Sequence, residues 1–210
     1  MRLAVFGATG RTGRHLVDQA LARSHEITAL CRDPGRMRLQ HPALQVITGH
    51  IRDRDLIAQA LEGQDAVVCT LGQNATSGRD VLSCAAENLI PAMEQAGVRR
   101  IVSLICAAVP DPRDPRPTLD TRLRNKLMGL LAARAIRDAA HHARLVRHSG
   151  LEWTLARPPR LTDGPRTGRY RAGWFQLSIG ACLSRADAAD FLLRELEECR
   201  FVGQAPMVTY

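Results

Sequence analysis

The chain has 210 residues, 45% of them hydrophobic and 24% charged, which fits one soluble globular domain large enough to bury a core without disulfide or metal staples. No run is long and apolar enough to span a membrane, and a first strand starting at the second residue leaves no room for a signal peptide, so a cytoplasmic protein is expected. The net charge of +8 comes from basic residues that are all arginine except Lys126, with only two Trp, two Tyr and four Phe to interleave with them; a solvated basic surface is expected rather than a nucleic-acid platform.

Taken in order, Leu3 to Phe6 is a buried strand, followed by a glycine turn and a helix from about Arg11 to Arg23. The glycines fall at Gly7, Gly10 and Gly13. Gly7 serves the sharp exit from the strand, Gly10 lets a pyrophosphate approach the backbone, and Gly13 lets the helix lie close on the sheet. The unpaired N–H groups and positive dipole end of that helix suit a dinucleotide diphosphate. Glu26 to Cys31 and Leu44 to Thr48 are the next strands; Asp53 or Asp55 caps a helix to Leu61, closed by Gly63. Asp65 to Gly72 is a nearly all-apolar strand, as in a sheet covered on both faces, then a helix runs from about Arg79 to Gln95 and a strand from Arg100 to Cys106. This alternation predicts an α/β fold, a Rossmann-like doubly wound parallel sheet with helices on both faces.

The rhythm breaks at Ala107. Val109 to Thr118 is a proline-rich stiff loop, and Asp120 to His148 is a long, basic, amphipathic helical stretch with a possible break at Gly129. Leu151 to Arg157 returns to the sheet, Pro158 to Gly168 is an irregular loop, Ser184 caps a helix through Glu198, and Ala205 to Tyr210 is a last short strand. All of this reads as one NAD(P)-binding domain over 1–210, with 107–183 supplying substrate-side loops and the long helix. The six cysteines form no CxxC pair and the histidines complete no ligand cluster, so reduced thiols and no metal are expected.

Ligands in open α/β sheets bind beyond the carboxyl ends of the strands, which selects Gly7 to Gly13, Arg32 to Arg36, Gly49 to Ile51, Leu71 to Asn74, Cys106 to Val109 and Pro158 to Thr162. Arg32 stands where NAD-dependent enzymes place an acid for the ribose 2′-OH. A guanidinium there suits the 2′-phosphate of NADPH, with Arg36 one turn on; the alternative is an Arg32–Asp33 surface pair that leaves Asp33 as an NAD-type acceptor. The tyrosine and lysine of short-chain dehydrogenases, four residues apart, are missing: Trp174 follows Tyr170 at that distance, and Tyr210 is the last residue.

GATGRTG, Cys-Arg-Asp at the second strand, Asp65-Ala-Val-Val…Leu-Gly, and Ser-Gly-Leu-Glu-Trp-Thr-Leu-Ala-Arg-Pro-Pro with its Thr-Gly-Arg-Tyr continuation resemble the atypical short-chain dehydrogenase/reductases, in particular the biliverdin-IXβ reductase/flavin reductase family. The resemblance spans nearly the whole chain. It implies a Rossmann domain holding NADPH and passing hydride to a flat conjugated acceptor such as a flavin, linear tetrapyrrole or quinone-like molecule. It implies cofactor contacts at Gly7, Thr9, Gly10, Arg11, Thr12, Arg32, Arg36, Leu71 and Gly72; Gly13, His50, Ile51, Cys106 and Pro159 are further candidate cofactor positions. The family aspartate after the third strand is His50 here, its serine falls on Cys106 or Ser103, and its histidine after Pro-Pro is Arg160. Cys106 and Arg160 are therefore the candidate catalytic positions. Arg160 would hold an anionic group of the acceptor, or else pair with Asp163. A small-molecule substrate is expected, with no nucleic-acid or membrane partner and the oligomeric state open. The competing readings are a non-catalytic NADP(H) sensor of the NmrA-like kind and an isomerase or tailoring enzyme on a carbonyl substrate.

Overall fold

The computed structural model describes residues 1–37, 39–73, 78, 80–116 and 132–210. In chain order the elements are β1 (Arg2–Phe6), α1 (Arg11–Ala22), β2 (Glu26–Cys31), a 3-10 turn (Pro34–Arg36), β3 (Leu44–Thr48), α2 (Arg54–Leu61), β4 (Ala66–Cys69), α3 (Val81–Ala96) and β5 (Arg100–Leu104). They continue as α4 (Ala133–His148), β6 (Glu152–Ala156), β7 (Arg160–Thr162), β8 (Arg171–Gly173), β9 (Cys182–Ser184), α5 (Arg185–Glu198) and β10 (Met207–Thr209).

Six strands form one parallel sheet in the order β3-β2-β1-β4-β5-β6. The order reverses direction between β1 and β4, and this switch point is where an open α/β sheet offers a crevice. Both faces of the sheet are covered. Successive strand side chains point to opposite faces, so Ala4, Phe6 and Val67 pack with Ile57, Leu61, Leu89, Met93 and Val146 of α2, α3 and α4. Leu3, Val5 and Val68 pack with Leu16, Val17, Leu192 and Leu193 of α1 and α5. That two-sided burial is why β4 is apolar at every position. Of the two cap candidates for α2, Asp53 serves, accepting from the Leu56 N–H at 3.2 Å. Ser184 caps α5 by accepting from the Asp187 N–H at 2.9 Å.

The departures from expectation lie at strand ends and in the last third. β4 and β5 stop at Cys69 and Leu104 rather than Gly72 and Cys106, because the chain leaves the sheet there to wall the crevice. The segment expected as an irregular loop contains β7, which pairs in parallel with β9 through Leu161 and Leu183. β8 pairs antiparallel with β10. Three-residue strands carry too little alternation to be read from sequence. Of the long helical stretch, Ala133–His148 is helix; the part from 120 to 131, with the break at Gly129, lies outside the described residues. The proline-rich loop owes its fixed path over 109–114 to Arg157. This wholly buried guanidinium donates to the Ala205 and Val109 carbonyls at 2.7 and 2.8 Å and to both carboxylate oxygens of Asp114 at 2.8 and 2.5 Å. A buried charge is tolerable only when its donors are matched in this way. Among the described residues no helix is long and apolar enough to cross a membrane.

α4 is tied to the sheet by polar groups. Asp80 at the cap of α3 makes no side-chain cap bond. Asp138 of α4 accepts instead from the Leu82 and Ser83 N–H groups at 3.0 and 2.9 Å and from the Ser83 hydroxyl at 2.6 Å. One turn on, fully buried His142 donates through Nδ1 to the Leu82 carbonyl at 2.9 Å, so its Nε2 accepts from the Ser103 hydroxyl at 2.8 Å. Burial pushes the imidazole pKa down from 6.5, against the opposing pull of the Leu82 carbonyl and Asp138. The folded chain thus keeps His142 neutral where the unfolded chain takes up a proton. Stability from this group is complete above about pH 6.5 and is lost as pH falls below it, by up to about 1.4 kcal/mol per pH unit. Urea unfolding at pH 7.5 and 5.5 should show a smaller difference for His142→Gln than for wild type; equal differences would assign the acid sensitivity to other groups.

Candidate dinucleotide-binding cleft

The crevice at the carboxyl ends of β1, β2, β4 and β5 is a cleft of about 710 Å³, within the range of roughly 300–1,000 Å³ usual for small-molecule and cofactor sites. Its floor is the glycine turn. Gly7 has φ +94°, and a Cβ there would lie 2.8 Å from the Leu71 backbone nitrogen. The Gly10 N–H donates to the Gly7 carbonyl at 2.9 Å and closes the turn. Gly13 sits beneath the cleft rather than in its lining: a Cβ there would stand 2.1 Å from the Gly7 carbonyl oxygen, so it sets how closely α1 approaches the turn. The Gly10 cap offers no side chain to α1, and the first turn of α1 holds no acidic residue. The end of a helix that most needs an anion therefore opens into the cleft without one of its own.

From that floor the cleft runs in two directions. Toward β2 and β3 it is lined by Arg32, Arg36, Gly49, His50 and Ile51. Asp33 is outside the lining. Its carboxylate is turned back onto the Gly35 N–H at 3.1 Å as the cap of the 3-10 turn, a turn that carries Arg36. Arg14 of α1 donates to the Arg36 carbonyl at 3.4 Å. In the other direction the walls are Leu71, Gly72 and Gln73 after β4, Leu104, Ile105 and Cys106 after β5, Val81 and Leu82 of α3, Ala135 and Ala139 of α4, Leu161 of β7 and Arg185 of α5.

Each of the six segments selected from the sequence contributes to this lining, through Gly7, Thr9, Gly10, Arg11, Thr12, Arg32, Arg36, His50, Ile51, Leu71, Gly72, Cys106 and Leu161. Asn74 lies outside the described residues. Pro159 and Arg160 do not line the cleft: alternation along β7 turns Leu161 inward and leaves Arg160 exposed on the outer side. The pairing of Arg160 with Asp163 also gives way, because Asp163 pairs with Arg11 and Arg185. Arg185 and the α4 alanines were missed. They come from elements 120 or more residues beyond the glycine turn, and only the tertiary packing brings them there. Ser103, the other candidate for the family serine, is buried in β5 against His142 and does not reach the cleft. Cys106 does reach it, and burial pushes its thiol pKa up despite N–H groups of Ala108 and Val109 directed at the sulfur, which favours the neutral thiol. Neither tyrosine lines the cleft. Tyr170 donates to Asp190 at 2.7 Å, and burial together with that carboxylate pushes its pKa up; Tyr210 donates to Asp187 at 2.7 Å.

A six-stranded Rossmann sheet, a glycine turn at its switch point and an uncapped helix N-terminus facing the cleft define a dinucleotide-binding protein. Residues 7–198 match the NAD(P)H-binding family, and the chain belongs to this family of NAD(P)H-binding oxidoreductases. Among its relatives is the (4-alkanoyl-5-oxo-2,5-dihydrofuran-3-yl)methyl phosphate reductase of Streptomyces griseus subsp. griseus, 30% identical over 99% of this chain and 67% of the relative. Two solved structures share the fold. ChuY, an anaerobillin reductase from Escherichia coli O157:H7, has a TM-score of 0.82 at 20% identity over 99% of this chain and 96% of its own. A short-chain dehydrogenase/reductase from Veillonella parvula in complex with NADP has a TM-score of 0.82 at 18% identity over 100% and 94%.

Proposed function

We propose that the chain is an NADPH-dependent reductase that delivers hydride to a small, flat, conjugated acceptor such as a flavin, a linear tetrapyrrole or a quinone. The observation that carries the NADPH preference is the pair Arg32 and Arg36 lining the cleft at the end of β2, with Asp33 withdrawn into the turn. The residues fit the cofactor. Arg32 and Arg36 would take the 2′-phosphate, His50 and Ile51 the adenine side, and the backbone of Gly10 to Thr12 the diphosphate. Leu71, Gly72 and Cys106 would border the nicotinamide. Bound NADPH supplies the hydride.

The residues of the chain position the acceptor. Leu82, Leu104, Ile105, Ala135, Ala139 and Leu161 give this part of the cleft an apolar lining, which suits a conjugated ring system. Cys106 contributes a neutral thiol and both tyrosines are tied to carboxylates elsewhere, so the acceptor takes its proton from solvent. Flavins and quinones tolerate this; a simple ketone, which needs a positioned acid, does not. The Streptomyces griseus relative is by name a reductase of an organic phosphate ester, which supports the same class of chemistry. Steady-state NADPH oxidation with FMN, riboflavin, biliverdin and a soluble quinone tests the proposal. Turnover with at least one is expected. NADPH binding without turnover on any of them would favour the sensor reading.

A further inference from the structure

Asp163, in the loop after β7, holds two arginines at once. One carboxylate oxygen pairs with Arg11 and the other with Arg185 at 2.7 Å. The three residues come from segments far apart in sequence and meet at the mouth of the cleft, whose lining includes both arginines but not Asp163. Arg11 and Arg185 are the first residues of α1 and α5. A helix N-terminus favours anions, so each cation stands at the wrong end of its dipole unless a negative charge accompanies it. In α1 that charge is not local, because the first turn has no acidic residue and the cap is Gly10. It is borrowed from Asp163. The arrangement has two guanidiniums and one carboxylate, leaving one positive charge unbalanced beside the glycine turn.

The two arms differ. The Arg185 side chain is 13% exposed and fixed against the protein, whereas those of Arg11 and Asp163 are 67% and 62% exposed. An exposed ion pair of this kind is weak and readily exchanged. A phosphate monoester, or a diphosphate taken whole, carries more charge than a carboxylate and has enough oxygens to meet both guanidinium forks together.

We propose that Asp163 is an internal competitor for phosphate: its carboxylate keeps Arg11 and Arg185 together at the cleft mouth, and a phosphate-bearing ligand binds there by taking both over. The phosphate can belong to the cofactor's diphosphate or to the acceptor, and the inference rests on the cleft being the NAD(P)H site. Asp163 thus lowers the affinity for the ligand whose site it guards, and Arg185 is a specificity-determining residue that the 2′-phosphate pair does not include.

The test is calorimetric titration at fixed ionic strength of NADP⁺, and then of FMN and riboflavin into NADP⁺-saturated protein, for wild type, Asp163→Asn, Asp163→Ala and Arg185→Ala. Removing the carboxylate should tighten one ligand by about threefold to fivefold, the scale of an exposed ion pair, and Arg185→Ala should weaken that same ligand. A change confined to NADP⁺ assigns the site to the diphosphate. A change for FMN without one for riboflavin, which lacks the phosphate, assigns it to the acceptor. Affinities within twofold of wild type, or weakened, for every ligand in both Asp163 variants overturn the inference. Failure of NADP⁺ to bind the wild type overturns the reading of the cleft itself, and is seen before any variant is compared.

Discussion

Arg32→Ala is expected to abolish the preference for NADPH over NADH, by weakening NADPH about tenfold to a hundredfold while leaving NADH nearly unchanged. The magnitude follows from the chemistry. A hydrogen bond to a charged group contributes about 1.5–3 kcal/mol, and each 1.4 kcal/mol is tenfold in affinity. The direction follows from the geometry, since Arg32 and Arg36 line the end of the cleft proposed for the adenine ribose whereas Asp33 caps the turn that carries Arg36. A ribose 2′-OH would gain little from two guanidiniums and finds no carboxylate to accept its hydrogen bond among the described residues lining that end. Arg36→Ala should have a smaller effect of the same sign, because the 3-10 turn holds it through its backbone and Arg14 steadies that backbone at 3.4 Å. Equal affinities for the two nucleotides in wild type, or an unchanged ratio in Arg32→Ala, would contradict this assignment.

Gly13→Ala should be severely damaging for a single added methyl. Two effects oppose each other. In a helix interior alanine is favoured over glycine by about 1 kcal/mol, so propensity alone predicts a stabilised protein. The added Cβ, however, would stand 2.1 Å from the Gly7 carbonyl oxygen and 2.8 Å from the Ala8 Cα, all backbone atoms with no rotamer to yield. Overpacking of this kind costs about 1–3 kcal/mol or more, and the relief available is for α1 to move away from the turn. That movement displaces the N–H groups meant for the diphosphate. Net destabilisation and at least tenfold weaker NADPH binding are therefore expected, measured by urea unfolding and calorimetry. A variant that is more stable and binds normally would show that α1 and the turn are not locked together.

The parts legible in the sequence are those governed by local rules. β2, β3, the Ser184 cap and the left-handed Gly97 that ends α3 all follow from apolar runs bounded by residues with a steric or capping reason to be there. The cleft was also legible, because the rule that ligands gather at strand carboxyl ends needs only the strand assignments. What escaped depends on contacts between distant segments. The sequence offers Arg160 as an anion holder and gives no local sign of Arg185. The pairing of β7 with β9 turns the first outward, and the packing of α5 carries the second to the cleft mouth. Likewise nothing local marks Asp138 as the cap of another helix, or Asp114 as the counter-ion of buried Arg157.

The central claim, that this cleft passes hydride from NADPH to an acceptor, is tested most directly by comparing NADPH with NADPH deuterated at nicotinamide C4 in single turnovers with FMN and with a soluble quinone. NADPH oxidation that saturates with cofactor, is slowed by the deuterium and loses its preference over NADH in Arg32→Ala is the predicted result. Tight NADPH binding with no oxidation by any acceptor would contradict it.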